Sequence, residues 1–301
     1  LKQVCYRVGV GRKMQHMTRW RVFLNEVSKV PKNLKSSLES AILQSNFWSQ
    51  PNSVDDIDAV DDSSYQMGTP ATEALERSLN QATADAGAPD LHFEVSSGDE
   101  EYALGPDDPY GKYPDNWMMR GQYRGPYQEL DGKHVVWLEI RPLTSEFNFD
   151  EFNSGKLAAT ISTTINHELV HYYQLKKQAQ SKGLSDWDAY KEMVCDPKQT
   201  PVGDPDRYEE LCGKKPPEQK GSEREIYLSR HGEIDAFAYE AAEKLLRQYN
   251  DPQKAAEEIG NPSNDVLADY AEVFKDNPKV LKKFRTKVYN QIMKQAEEND
   301  V

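Results

Sequence analysis

The sequence predicts an α+β fold: a twisted, mainly antiparallel sheet packed on one long helix, followed by a helical C-terminal half. Three observations carry this. Apolar residues alternate at 91–95 and again across 133–141, beyond the turn pair Asp131-Gly132. A sustained helical pattern runs from Ser154 to about Ser181. Beyond Ser222 the apolar residues recur at helical spacing, first to Tyr249 and then in two terminal stretches.

Residues 1–48 read as an N-terminal leader with short helices. Lys2, Arg7, Arg12, Lys13, Arg19 and Arg21 precede the first acidic residue, Glu26, and no apolar core of a secretory signal accompanies them. The part before Met17 is expected to be a leader or processed end. Between Trp20 and Leu43 the apolar spacing predicts one or two helices, interrupted at Pro31. Residues 49–70 turn to Asp, Ser, Pro and Gly and read as an acidic linker. Their Asp55-Asp56-Ile57-Asp58 run lacks the central Gly and closing Glu of a calcium loop.

A helix is expected over 71–86, stopped by Gly87 and Pro89, and a strand over 91–95. Residues 97–126, rich in Gly, Pro, Asp and Tyr, predict a long loop or irregular hairpins. Residues 127–130 and 133–141 flank Asp131-Gly132 as a β-hairpin, with His134, Val136, Leu138 and Ile140 on one face. The second strand is either an open sheet edge or an ordinary paired strand. Ser154 can cap the long helix. A polar insertion, 183–221, then holds one short helix, 186–194, and much loop. Ser222-Glu223-Arg224-Glu225 forms a capping box for a helix reaching Tyr249. Two amphipathic helices built on Val266–Phe274 and Val280–Ile292 complete a C-terminal extension, 251–301.

Composition bounds the function. With 301 residues, 37% of them hydrophobic and 29% charged, the chain reads as a soluble globular protein. No apolar run approaches the roughly 20 residues of a membrane span, so no membrane partner is expected. A net charge of −13 argues against nucleic acid as the main partner. Cys5, Cys195 and Cys212 are too few for a disulfide framework; the latter two could pair in an oxidising compartment, but are expected as reduced thiols on a loop. The expected location is cytoplasmic.

The chemistry concentrates at His167-Glu168-Leu169-Val170-His171, inside the long helical pattern. Residues four apart share a helix face, so His167 and His171 present two imidazoles to one point, as a Zn²⁺ site requires. Glu168 lies beside that point and suits a general base acting on a water activated by the metal. Leu157, Ile161, Ile165, Leu169 and Tyr172 supply the core-facing stripe.

This run resembles the zincin metallopeptidases, specifically the gluzincin branch. The metzincin pattern is excluded, because Gln174 and Lys177 stand where it needs Gly and His. The resemblance implies a zincin-like fold spanning residues 71–250, a peptide or protein substrate, and a third zinc ligand from a Glu on a later helix. Glu233, in Gly232-Glu233-Ile234-Asp235-Ala236-Phe237-Ala238, is similar to the third-ligand helix of small zincin-like proteins of tailed-phage and bacterial genomes. Its small neighbours permit close helix approach. The rival is Glu192, with Asp196 four residues on, at nearly the thermolysin-like spacing, but its helix is short, polar and broken by Pro197. Phe237 stands where many gluzincins carry an Asp that supports the site, with Asp235 as a substitute. Tyr227, His231 and Tyr173 are candidate donors to a developing oxyanion. The expected function is hydrolysis of peptide bonds with zinc as cofactor and Glu168 as general base. The alternative is a non-catalytic structural or interaction protein, phage-encoded, that keeps the zincin fold.

Overall fold

The structure is a computed structural model that describes residues 30–45, 47, 57–61, 64–67, 69–96, 117–127, 130–142, 154–196, 205–215, 221–260 and 265–299. The stretch expected as a leader, with Cys5, lies outside the described residues.

Helix α1 (Lys32–Gln44) follows Pro31 and buries Leu34, Leu38 and Ile42 along one stripe. Strands β1 (Ile57–Asp61) and β2 (Ser64–Met67) pair antiparallel, so part of the stretch expected as linker is a hairpin. Helix α2 (Thr69–Asp85) ends before Gly87, whose φ of 79° suits the stop. Strand β3 (Leu91–Ser96) buries Leu91, Phe93 and Val95 and half-covers the residues between them.

Strands β4 (Trp117–Tyr127) and β5 (Lys133–Pro142) form a hairpin, but Tyr127 pairs with Lys133, so the first strand ends where it was expected to begin and the connection is longer than the two-residue turn; Asp131 and Gly132 both lie in the left-handed region at φ 54° and 76°. Two corrections follow, and one open alternative is decided. The strand order is β3-β5-β4, with β3 parallel and β4 antiparallel to β5. The sheet is therefore mixed rather than mainly antiparallel, the chain between β3 and β5 being long enough for a crossover. Strand β5 is bonded on both sides, the paired-strand alternative, so among the described residues β3 and β4 are the edges of this sheet, β4 beside the long helix. And β4 starts at Trp117, inside the stretch expected as loop. Its Gly121, Gly125 and Pro126 depress strand propensity, but packing demands the glycines. A Cβ on Gly121 would lie 2.5 Å from Thr164 Cγ2, and one on Gly125 would lie 2.4 Å from the Tyr190 ring. Gly125 also takes φ 80° where the register slips between Tyr123 and Gly125.

Helix α3 (Ser154–Lys182) runs under the sheet. Residues 161–170 are all buried, so the helix is covered on every side at its centre rather than along one stripe. Helix α4 (Asp186–Cys195) is capped by Ser185, which accepts the Asp188 N–H. It packs Ala189 against Leu175 and Ala179 of α3. Helix α5 (Pro205–Cys212) brings Tyr208 and Leu211 onto Val194. A disulfide joins Cys195 to Cys212, correcting the expected free thiols: the two helix ends place the Cα atoms 5.6 Å apart.

The Ser222 capping box is formed, but the helix it opens is two helices. Helix α6 (Glu223–Ser229) stops where Ser229 Oγ bonds the Ile226 carbonyl at 3.0 Å and Arg230 turns to ψ 145°. Helix α7 (His231–Tyr249) then starts afresh. Beyond it lie α8 (Pro252–Glu257), a short 3₁₀ turn, α9 (Asp265–Val273) and α10 (Pro278–Asn299).

Two cores result. One gathers α1, α2, α3 and the three-stranded sheet, and takes Ala236 and Tyr239 from α7. The other sets Ile234, Ala238, Ala241 and Leu245 of α7 against Tyr270, Phe284, Val288 and Ile292. Helix α7 is thus pinned on both faces.

Candidate metal centre

Helical geometry sets the first two side chains. His167 and His171 lie one turn apart on α3, their rings meeting edge to face with centroids 5.2 Å apart. Helix α7 delivers the third. Glu233 stands in its first turn, and its Oε2 lies 3.5 Å from His167 Nε2 and 3.6 Å from His171 Nε2. Gly232 permits this approach, since a Cβ there would sit 3.2 Å from Gln174 Oε1 and 3.5 Å from His171 Nδ1.

The charges fit the geometry. Burial lowers the basicity of His167, but Glu233 and Glu240 outweigh it and raise its pKa to about 9. His171 is raised against the same burial by Glu233. Burial would keep Glu233 protonated, yet the two imidazoles drive its pKa far below the carboxylate range. At 3.5–3.6 Å these contacts are ion pairs rather than hydrogen bonds. Glu233 Oε2 is buried and has no hydrogen-bond partner. A buried acceptor of this kind requires a cation or donor. A tetrahedral ion with bonds of about 2.0–2.1 Å separates its ligand atoms by about 3.3 Å, close to the spacing found here.

Behind the cluster, His167 Nδ1 faces Glu240 Oε2 at 3.3 Å and His171 Nδ1 faces Gln174 Oε1 at 3.2 Å. Both partners accept, so each Nδ1 carries a proton, which leaves each Nε2, facing Glu233, as the atom free to exchange its proton for a metal ion. Glu240 escaped the sequence reading. It lies seven residues beyond Glu233, two turns along the same face of α7. Asp235, the expected substitute, instead pairs with Lys287 of α10 at 2.7 Å. Phe237 packs its ring edge to face on His167 at 4.4 Å.

Glu168 points to the sheet side of α3. It is 7% exposed, and its Oε2 accepts the backbone N–H of Tyr123 on β4 at 2.7 Å. Only a glycine at 121 lets β4 lie this close, since a Cβ there would be 3.1 Å from Glu168 Cγ. Glu192 is placed elsewhere: it is half exposed and bonds Lys182 and Gln178. Its helix, though short and polar, packs on α3 through Ala189, but Glu192 lies on the outer face. Of the candidate donors, Tyr227 lies against Glu233. Burial, then Glu233 and Glu168, hold its hydroxyl protonated. His231 is exposed, and Tyr173 packs on Tyr172, where burial and Asp90 raise its pKa to about 12.

A second group, Asp90, His134 and Asp186, also has closely spaced ligand atoms. There the positive charge is already supplied. Lys176 Nζ bridges Asp90 Oδ2 at 2.9 Å and Asp186 Oδ2 at 2.8 Å.

No protein-family model, curated protein or solved structure matches the chain.

Proposed function

We propose that the protein is a zinc-dependent hydrolase with a zincin-like fold, and that it cleaves peptide bonds. The observation that carries this is the meeting of His167 and His171 of α3 with Glu233 of α7, with Glu168 beside them. His167, His171 and Glu233 hold the ion; Glu240 and Gln174 set the tautomers of the two imidazoles. When bound, zinc supplies a Lewis acid that brings the pKa of water down to about 7. Glu168 is the general base and afterwards returns its proton to the leaving amine. Tyr227 is the donor best placed for the oxyanion. The edge of β4, beyond the Tyr123 N–H held by Glu168, suits an extended peptide, which adds to such edges through its main chain. The Cys195–Cys212 bridge favours an oxidising compartment over the cytoplasm.

Glu168→Gln tests the reading. Gln preserves shape and removes the base, so the variant should keep its zinc and lose roughly a hundredfold or more in hydrolysis of a broad peptide library. Cleavage at the wild-type rate would remove Glu168 from the chemistry. A zinc-replete wild type that cleaves nothing would favour a non-catalytic zincin-fold protein instead.

A further inference from the structure

The contacts behind Glu168 continue away from the metal ligands. Tyr123, whose backbone N–H holds Glu168, meets His134 Nδ1 with its hydroxyl at 2.6 Å. His134 Nε2 lies 2.9 Å from Asp186 Oδ2. Lys176 ties Asp186 to Asp90, and the Tyr172 hydroxyl donates to both oxygens of Asp90 at 3.0 Å. An ionised Asp186 only accepts, so His134 Nε2 carries the proton and Nδ1 accepts from Tyr123. Every group is satisfied when His134 is neutral.

Two features make this more than packing. His134 is fully buried on the central strand, beside Val136 and Leu138, where an unpaired polar ring is costly. And β4 is a sheet edge whose register slips immediately after Tyr123. The backbone ladder therefore anchors Tyr123 weakly, and the hydroxyl bond to His134 supplies the anchor.

We propose that His134 is a positioning residue for the hydrolysis, holding Tyr123 so that the β4 N–H orients Glu168 only while the imidazole is neutral. This rests on the hydrolase reading above. Protonation would make Nδ1 a donor and force the Tyr123 hydroxyl to turn. The groups facing His134 are Tyr123 of β4, Asp90 ahead of β3, Tyr172 and Lys176 of α3, and Asp186 of α4; Tyr190 of α4 acts on Tyr123. Burial, against Asp186, lowers the imidazole's pKa below its ordinary 6.5.

The test uses the full chain, ¹⁵N-labelled, as wild type, Tyr123→Phe and His134→Gln. In wild type the backbone amide at position 123 should shift in step with protonation of His134, followed through its ring nitrogens. In Tyr123→Phe, which loses only the hydroxyl, that response should vanish. Zinc content and KM should hold while kcat falls on the order of tenfold. His134→Gln, which keeps a donor and an acceptor but cannot protonate, should retain most of the wild-type kcat and flatten the acid limb of the rate profile. An amide at 123 indifferent to His134 protonation, or a wild-type kcat in Tyr123→Phe, would overturn the proposal. Should the wild type cleave no peptide, the hydrolase reading falls, and the amide titration alone decides whether His134 governs the strand.

Discussion

Glu240 meets His167 at the buried end of a stripe on α7 that begins with Glu233. Its side chain is completely buried, a place a carboxylate occupies only when paired. Glu240→Gln keeps the shape but weakens the hold on the His167 Nδ1 proton. It should lower zinc affinity about 10–100-fold, as loss of such support does elsewhere. Competition against a chelator reads this directly, and an unchanged affinity would deny Glu240 the role. The sequence could not reveal it: in Ala238-Tyr239-Glu240-Ala241 a glutamate on a helix looks like a solvated residue. Only the crossing of α7 over α3 turns it inward. His167, Glu168 and His171 were legible because one helix fixes their relation. Glu233 was legible through the small residues around it, which announce close helix contact.

Among the elements, β4 was the least legible, since its glycines answer to side chains far away in sequence: Thr164 and Glu168 at one, Tyr190 at the other. Local propensity carries no trace of such demands. Helix α4, short and polar in sequence, is the source of Asp186 and of the Tyr190 ring against Gly125.

Its network makes a pH prediction. Asp90 and Asp186 are depressed: burial opposes this, but Lys176 prevails. Their contribution is present above the unfolded value near 3.8 and fades as pH falls through the lower folded values. Lys176 is raised, so its share is present below 10.5 and is lost as pH rises through the folded value. His134 is depressed, so its share is full above 6.5 and is lost as pH falls through the folded pKa. His167 and His171 shift the other way, and comparison with His134→Gln cancels them. The melting temperature of wild type should therefore fall more steeply below pH 6.5 than that of His134→Gln. Parallel curves would contradict the assignment.

The disulfide closes a 17-residue separation between α4 and α5. Chain entropy alone gives such a closure about 3 kcal/mol. Cys195→Ser with Cys212→Ser should lower urea stability by that order. A loss near zero would mean that the α4–α5 packing holds the unit without it.

At the scale of the molecule, α7 is the beam on which the arrangement rests. One face packs into the core under the sheet and the other into the C-terminal helices, so the terminal segment read from sequence as an extension backs the helix that carries Glu233. Such two-sided packing suits a carboxylate that must be held still. The α+β class and most helices were readable from periodicity. The mixed strand order was not, because pairing partners depend on where the chain crosses over.

Zinc bound per chain, measured after exhaustive dialysis of Glu233→Ala and Glu192→Ala beside wild type, tests the central claim most directly. A three-ligand site predicts about one zinc in wild type, about one in Glu192→Ala, and almost none in Glu233→Ala. Full zinc in Glu233→Ala, with loss in Glu192→Ala, would contradict the account.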